Sequence, residues 1–166
     1  MRLRRLQVDD YPALRPIYMN PNVGYPAAIG AIEDDQTMMR LAAALIHAGN
    51  CAMEEDGQVV GVIGHGAAQM AEEGEVAAVI GYVVREDCWG RGYCTQAVIE
   101  YSDMLLQVGY DAVYADCFTD NPASARVLEK AGFAHRYDFV RQFPCFAEPK
   151  QLHLYKKTAA PAREEQ

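Results

Sequence analysis

Two strand-like segments of this chain each run directly into a helix-like segment through a tight turn. The first turn is Trp89-Gly90-Arg91-Gly92-Tyr93-Cys94-Thr95, and the second is Asp120-Asn121-Pro122-Ala123-Ser124. The helix after the second turn is expected to stop at Gly132-Phe133. The first N–H groups of a helix have no partner within it and lie at the positive end of its dipole. Two such turns from one sheet predict a bound molecule with a phosphate end and a reactive end.

Length and composition predict one domain. The chain has 166 residues, of which 51% are hydrophobic, enough for a sizeable core. We expect the domain to span residues 1–157 and residues 158–166 to form a loose tail. With 15 basic and 23 acidic residues, the net charge is -8. This charge argues against binding nucleic acid or an anionic membrane, whose phosphates it would repel, and is compatible with a cationic substrate such as an amine.

The cysteine pattern predicts reduced thiols. There are five cysteines, an odd number, and no Cys-x-x-Cys pair. Neither a disulfide framework nor a zinc site is therefore indicated, and we expect no metal. The basic N-terminus lacks the apolar stretch of a secretory signal, and no segment approaches the ~18 apolar residues of a membrane span. We expect a cytoplasmic protein without a membrane partner.

The order of the predicted elements is one strand, two helices, three strands, two helix–strand pairs and a last strand. This order predicts an α/β (α+β) fold: a mixed, largely antiparallel sheet with helices on both faces. Asp56-Gly57 is the strongest hairpin signal, and residues 20–26 are expected to be a loop. The expected bounds of the main strands and helices are 2–8, 75–84, 94–108, 112–118, 122–131, 133–143 and 151–156.

Each turn also has an ordinary structural interpretation. Gly90 and Gly92 could simply make a tight strand-to-helix turn. They are not a dinucleotide fingerprint, because Thr95 stands where the third glycine belongs, and no P-loop lysine follows. Asn121 before a proline is first of all a helix cap, and the Ser124 hydroxyl could be bonded locally.

Together, however, the motifs resemble the GNAT N-acetyltransferase superfamily. Trp89 to Cys94 is similar to the acyl-CoA loop Q/R-x-x-G-x-G/A, and Asn121 to Phe133 is similar to the family's Asn-initiated helix ending in Lys-x-Gly-Phe. With Ile80-Gly81-Tyr82-Val83-Val84, these segments look like the branch that acetylates protein N-termini, notably of ribosomal proteins, which also contains acetyltransferases of small amines. The order of elements agrees with this fold from about residue 2 to residue 156.

The resemblance implies acetyl-CoA as co-substrate and a primary amine, in a small molecule or a protein N-terminus, as acceptor. The backbone of Tyr82, Val83 and Val84 would pair with the pantetheine amides. Asn121 and Ser124 would lie near the pantetheine and the thioester sulfur. Thr95 could add a hydroxyl to the pyrophosphate cradle, which would be formed by the backbone of Trp89, Gly90, Arg91, Gly92, Tyr93 and Cys94. Many relatives dimerise, so a homodimer is a further expectation.

Four residues depart from the family pattern. Trp89 replaces the usual Gln or Arg, and Cys94 replaces the last Gly or Ala; a small apolar role for Cys94 competes with a reactive thiol. Leu128 stands where many members carry a Tyr that protonates the leaving thiolate, and Val79 where this branch often has Glu. The last two departures favour an alternative: a catalytically weak acyl-CoA-binding or regulatory module of the same fold.

The implied reaction is direct attack of a neutral amine on the thioester. Ser124 could donate a proton to the thiolate, whose thiol pKa is near ~8.5. The base remains open between Asp116, on a central strand, and the more weakly placed Glu75 and His65. Our catalytic assignment is Ser124, Asn121 and Asp116. His135 and His153 are expected to be structural, whereas the acceptor site is expected at residues 20–26, before Glu75 and near Phe143, with Tyr25 and Phe146 as possible lining.

Overall fold

A computed structural model describes residues 1–159; residues 160–166, most of the predicted tail, lie outside the described part. Its centre is a seven-stranded sheet in the order β1-β2-β3-β4-β5-β7-β6. Every neighbouring pair is antiparallel except β4 and β5, so the predicted mixed, largely antiparallel sheet is confirmed. The strands are β1 Arg2–Arg5, β2 Cys51–Glu55, β3 Gln58–Ala67, β4 Ala77–Val84, β5 Ala112–Phe118, β6 Ala134–Arg141 and β7 Lys150–Thr158.

Helices cover both faces of this sheet, as predicted. They are α1 Tyr11–Tyr18, α2 Pro21–Gly24, α3 Asp35–His47, α4 Tyr93–Gln107 and α5 Pro122–Lys130. On one face, α1 and α3 bury Leu14 and Met38 against Val62 and Val83. On the other face, α4 and α5 pack residues such as Leu105 and Leu128 into a larger core. Each layer buries apolar side chains that a lone helix or sheet would expose, which is the main stabilising term.

The segment 20–26 differs from the expected loop, because α2 occupies most of it. Asn20 caps this single turn: its side-chain oxygen accepts the N–H of Asn22 at 2.9 Å, and Pro21 follows at the first helical position. Gly24 is pressed against the chain beyond it, since a Cβ there would lie 2.1 Å from the carbonyl oxygen of Gly30. The Asn-Pro pair therefore marks a helix start here, as it does at α5.

Several boundaries also shift by a few residues. The first strand ends at Arg5 rather than at residue 8, because Val8–Asp10 forms a 3-10 turn. The long strand begins at Ala77 rather than at Glu75. The last strand continues to Thr158, the first residue of the expected tail. Its extra residues stay in the sheet because they remain paired with β5.

The predicted hairpin at Asp56-Gly57 is confirmed. Both residues have positive φ, 49° and 74°, as a type I′ turn requires. That turn matches the right-handed twist of the strands it joins, β2 and β3. None of the helices in the described part of the chain combines the length and the apolar character needed to cross a bilayer.

The feature that positions the site is a split in the middle of the sheet. The parallel pair β4–β5 is joined only over Ala77–Val79 and Ala112–Tyr114. Beyond those residues β4 remains paired with β3 as far as Val84, and β5 remains paired with β7 as far as Phe118. A gap therefore opens between the two central strands at the end where α4 and α5 begin.

Candidate active site

The β4 side of the gap presents backbone hydrogen-bonding groups. The Arg85 N–H donates to the Val60 carbonyl of β3 at 2.8 Å. Because the backbone groups of successive residues point to opposite edges of a strand, those of Val83 also point towards β3. Those of Tyr82 and Val84 point into the gap. Of the three β4 residues expected to pair with pantetheine, two thus offer their backbone to the gap, whereas Val83 packs its side chain against α1 and α3.

The first glycine turn leads from β4 into α4 with unpaired N–H groups at the helix start. Gly90 and Gly92 have φ values of 75° and 81°, which glycine adopts at little cost. Gly92 is the N-cap of α4 and supplies no side-chain cap. A Cβ on either glycine would meet nothing within 4 Å, so it is backbone conformation that favours glycine. The N–H groups of Tyr93 onwards are thus available to an anion.

Trp89 closes the other side of this turn. Its indole N–H donates to the Val84 carbonyl at 2.8 Å, while half of its surface (51%) remains exposed. The Gln or Arg usual at this position is thus replaced by a side chain that ties the turn to the end of β4. Burial raises the pKa of the neighbouring Cys94 thiol to about 12, so this thiol is neutral near pH 7. That state agrees with a small packing role for Cys94 rather than a nucleophilic one.

The second turn brings two hydroxyl groups together across the gap. The Asn121 side chain accepts the Ser124 N–H at 3.2 Å, as a helix cap does. The Ser124 hydroxyl then lies 2.8 Å from the Tyr82 hydroxyl. Burial, with smaller effects from nearby acidic groups, raises the pKa of the Tyr82 phenol, which stays protonated across the neutral range. Sequence reasoning used only the backbone of Tyr82, although strand alternation would have put its ring on the α5 face.

Two cavities meet at this hydroxyl pair. The larger, about 790 Å³, runs along the turn before α4 and the start of α5. The smaller, about 460 Å³, lies under α1 and α3. Tyr82, Val83, Phe118 and Ser124 line both of them. The charged residues that line the larger cavity are Arg126, Lys130, Lys150 and Asp120, and Lys150 Nζ pairs with the Asp120 carboxylate at 3.0 Å.

Three glycines of β3 and β4 lie on the sheet face that lines the smaller cavity. The pairings Gly64 with Gly81 and Gly66 with Val79 place Gly64, Gly66 and Gly81 on the face covered by α1 and α3. A Cβ on Gly66 or Gly81 would meet nothing within 4 Å, so these two residues leave the volume above the sheet open. The space over Gly64 is instead occupied by the side chain of Asn50, which also lines the cavity.

Asp116 is the carboxylate of this smaller cavity. Val79 pairs with Tyr114, so alternation along β5 puts Asp116 on the same face as Gly81. Arg141 Nη1 lies 3.5 Å from its carboxylate. Burial raises the pKa of the Asp116 carboxyl, and the charge of Arg141 offsets part of that rise. Arg141, on β6, was not singled out from the sequence, because nothing in its local pattern distinguishes it from a surface residue.

The other two base candidates are engaged elsewhere. The His65 imidazole lies between two phenols, 2.8 Å from the Tyr101 hydroxyl and 3.4 Å from that of Tyr110, and burial lowers its pKa. Glu75 accepts the Tyr114 hydroxyl at 2.7 Å and pairs with Lys156 Nζ at 2.6 Å. Glu75 lines neither cavity. His65 also lines the smaller cavity, but its ring is held against Tyr101 of α4 on the opposite face of the sheet. Asp116 is therefore the candidate base whose side chain faces the cavity.

An aromatic wall closes the cavities near the end of β5. The ring centroid of Phe118 lies 5.6 Å from that of Phe143 and 5.5 Å from that of Phe146, both edge-on. Tyr25 lies 5.8 Å from Phe146. Tyr25 and Phe146 line the larger cavity and Phe143 the smaller. Such edge-to-face contacts hold the rings in fixed positions around the gap.

The two departures on α5 and β4 have different surroundings. Leu128 is fully buried at 0% exposure within the core between α4, α5 and the sheet. Val79 lines the smaller cavity. The family's tyrosine position is thus a packing position in this chain, and the family's glutamate position is an apolar part of the cavity.

A protein-family model described as "Acetyltransferase (GNAT) domain" matches residues 1–134. This match covers most of the chain, which therefore belongs to the GNAT acetyltransferase family and is an acetyl-CoA-dependent acyltransferase. No curated protein matches the sequence.

Solved structures show the same fold at low sequence identity. A GNAT-family acetyltransferase from Bacillus anthracis is 19% identical with a TM-score of 0.80, covering 94% of this chain and 93% of that one. The ribosomal-protein-alanine N-acetyltransferase of Brucella melitensis is 21% identical with a TM-score of 0.76, covering 96% and 100%. The spermidine N-acetyltransferase of Vibrio cholerae, solved with CoA and spermine, is 14% identical with a TM-score of 0.77, covering 95% and 94%.

Proposed function

We propose that this protein transfers the acetyl group of acetyl-CoA to a primary amine by direct attack. The observation that carries the proposal is the meeting of two cavities at Tyr82 and Ser124. One cavity has the features of a phosphate-bearing cofactor site, and the other has a single carboxylate. A thioester held in the first cavity and an amine held in the second would come together in the gap between β4 and β5.

The larger cavity fits acetyl-CoA, which supplies an activated acetyl thioester when bound. The free N–H groups at the start of α4 suit the pyrophosphate, and Arg126 and Lys130 add positive charge to the same cavity. The Tyr82 backbone and the Val84 N–H present the donors and the acceptor that secondary amides need, since the Val84 carbonyl already accepts the Trp89 indole N–H. The chain thus provides groups for each part of an elongated amide-and-phosphate ligand.

Ser124 and Tyr82 form the proposed proton donor for the leaving thiolate. Their hydroxyls are hydrogen-bonded to each other at 2.8 Å at the junction of the two cavities. The phenol stays protonated because burial raises its pKa, so it can donate a hydrogen bond throughout the neutral range. Asn121 holds the Ser124 backbone through the cap and thereby positions this hydroxyl.

Asp116 is the proposed proton acceptor for the attacking amine, directly or through one water. It faces the smaller cavity, and the rise in its pKa makes its carboxylate a stronger base than an exposed aspartate. The carboxylate also attracts the ammonium form that an amine has in water. Arg141 keeps Asp116 ionised when no amine is present.

The lining of the smaller cavity favours an α-amine attached to an apolar group. Asp116 is the one carboxylate among the described residues that line it, and Arg141 already balances its charge. A polyamine carries several positive charges and would find few partners there. An α-amine titrates near ~8 and a lysine amine near ~10.4, so a single weak base can deprotonate the former more readily. We therefore propose a protein N-terminus or a small α-amine as the acceptor.

Two measurements test the proposal in sequence. Thermal unfolding with acetyl-CoA, with ATP and NAD as controls, tests the larger cavity. Ligand at a hundred times its dissociation constant should add about 2.7 kcal/mol of stability, a shift of about 5–10 °C. CoA release is then measured with peptides bearing free N-termini, α-amino amides, N-blocked lysine and spermidine. Turnover with the first two classes is expected, and no shift with millimolar acetyl-CoA would refute the cofactor assignment.

The same measurements distinguish the proposed transferase from the alternative, a catalytically weak acyl-CoA-binding module. Such a module would be stabilised by acetyl-CoA yet release no CoA above the blank with any amine. Spermidine as the best acceptor would instead refute only the α-amine part of the proposal.

A further inference from the structure

A cluster of three potential metal ligands lies away from the gap, on β6 and β7. His135 Nε2 lies 2.8 Å from Asp138 Oδ1, and His153 Nδ1 lies 2.6 Å from the same oxygen. Among the described residues, these form one group whose ligand atoms all lie within 4.8 Å of one another. From the sequence, both histidines are expected to be structural and no metal is expected. None of the three residues lines either active-site cavity.

A β-bulge brings the three side chains together. Residues three apart in a regular strand point to opposite faces, so His135 and Asp138 should not meet. The register of β6 against β7 shifts between His135 and Tyr137, which adds one residue and restores both side chains to one face. Asp138 is then paired directly with His153 across the strands. This arrangement depends on the bulge, which no local sequence pattern signalled.

The donor set and its spacing suit a divalent transition metal ion that is intermediate between hard and soft. Two imidazoles and one carboxylate are ligands that zinc accepts, at bond lengths of about 2.0–2.2 Å. Ligand atoms at that distance in a tetrahedral arrangement are about 3.4 Å apart. The two contacts to Asp138, at 2.8 and 2.6 Å, therefore need to lengthen by about 0.6 and 0.8 Å, which side-chain rotation can supply. All three groups are partly exposed, so solvent can complete the coordination.

We propose that His135, Asp138 and His153 form a Zn²⁺-type site that fastens the edge strand β6 to β7. β6 exposes almost every side chain and is paired on one side only. A metal bound by two residues of β6 and one of β7 would cross-link these strands without touching the acetyl-transfer site. Its effect is thus on stability rather than on turnover.

The test is a calorimetric titration of the reduced, metal-free, full-length protein with ZnCl₂, followed by thermal unfolding. We expect one zinc per chain, and a rise in Tm of about 5–10 °C at a hundred times the dissociation constant. His153→Ala and the near-isosteric Asp138→Asn should each weaken binding at least tenfold, since even partners of metal ligands contribute that much. His47→Ala, which removes an exposed histidine of α3, is the matched control and should bind as the parent does.

Three outcomes would overturn the site. Zinc binding that survives both His153→Ala and Asp138→Asn would assign the metal to other groups, such as the cysteine thiols. Absence of saturable binding at millimolar zinc would exclude the site outright. Stabilisation by Mg²⁺ equal to that by Zn²⁺ would show that the metal acts through carboxylates and not through the imidazoles, because Mg²⁺ prefers oxygen ligands.

Discussion

Gly81→Val should make the protein more stable and at the same time nearly inactive. Gly81 lies in the interior of β4 on the floor of the smaller cavity. A Cβ there would meet nothing within 4 Å, and its φ is not positive, so a Cβ is accepted without a clash or backbone strain. The valine would project into the volume where we propose that the acceptor amine binds, while the backbone of β4 remains paired with β3.

The two expected changes can be estimated separately. A glycine within a strand destabilises a protein by roughly 0.5–1 kcal/mol relative to alanine, so its removal should raise Tm by about 1–4 °C. Displacing the amine by as little as about 1 Å can lower the rate 10²-fold. We therefore expect kcat/KM for the amine to fall at least 100-fold, which corresponds to about 2.7 kcal/mol of transition-state stabilisation. Gly81→Ala, with a single added carbon, should give a smaller loss.

The assay combines CoA release at varied amine concentration, calorimetric acetyl-CoA binding and thermal unfolding. Gly81 does not line the larger cavity, so acetyl-CoA affinity should stay within about twofold of the parent value. Unchanged kcat/KM in Gly81→Val would refute the placement of the amine. A fall in acetyl-CoA affinity equal to the fall in kcat/KM would show that the two cavities are not functionally distinct.

Asp116→Asn should lower kcat at least 100-fold and remove the acidic limb of the pH profile. In the parent this limb should lie above the usual range for aspartate, because burial raises the pKa of the Asp116 carboxyl. A carboxyl group whose pKa is raised in the folded state lowers the stability of the fold once the pH is high enough to ionise it, so the Tm of Asp116→Asn at pH 7 should be no lower than that of the parent. An unchanged pH profile of kcat would exclude Asp116 as the base. Tyr82→Phe should lower kcat at least tenfold with acetyl-CoA affinity retained, and equal kcat would remove the phenol from the mechanism. Leu128→Ala should lower the free energy of unfolding by about 2–5 kcal/mol. A decrease in Tm of less than about 2 °C in a melting experiment would contradict the fully buried position of Leu128.

The fold could be predicted largely because its signals are local. Strand and helix periods, the Asp56-Gly57 turn and the cap at Asn121 all act over a few residues, and each is present in the structure. The segment at α2 carries the same Asn-Pro signal, at Asn20-Pro21, but its dense turn formers also fit the loop that was expected there.

The site was harder to predict because its geometry depends on pairing between distant strands. The start of α4 and the cap at Asn121 follow from glycine and Asn-Pro signals. The proposed acceptor cavity, by contrast, requires Gly66 and Gly81 to lie on one face of β3 and β4 and Asp116 to share that face. Arg141 reaches Asp116 only because β6 follows β7 in the sheet order. Such relations are set by the register of strands that lie far apart in the sequence, and the local pattern of one strand does not show which residues of another strand it pairs with.

The leucine at position 128 is therefore weak evidence for a disabled enzyme. The α5 face of the sheet needs an apolar side chain at that point, and Leu128 fills it completely. A hydroxyl is instead delivered from β4, whose alternation directs Tyr82 to the first turn of α5, one turn upstream of Leu128, where it meets Ser124. In the proposed mechanism, packing and proton donation are thus divided between a helix and a strand. In a weak binding module neither Tyr82→Phe nor Ser124→Ala would change the rate, because the parent would already be slow. In the proposed enzyme the two substitutions share one hydrogen bond, so their effects on kcat should be less than additive.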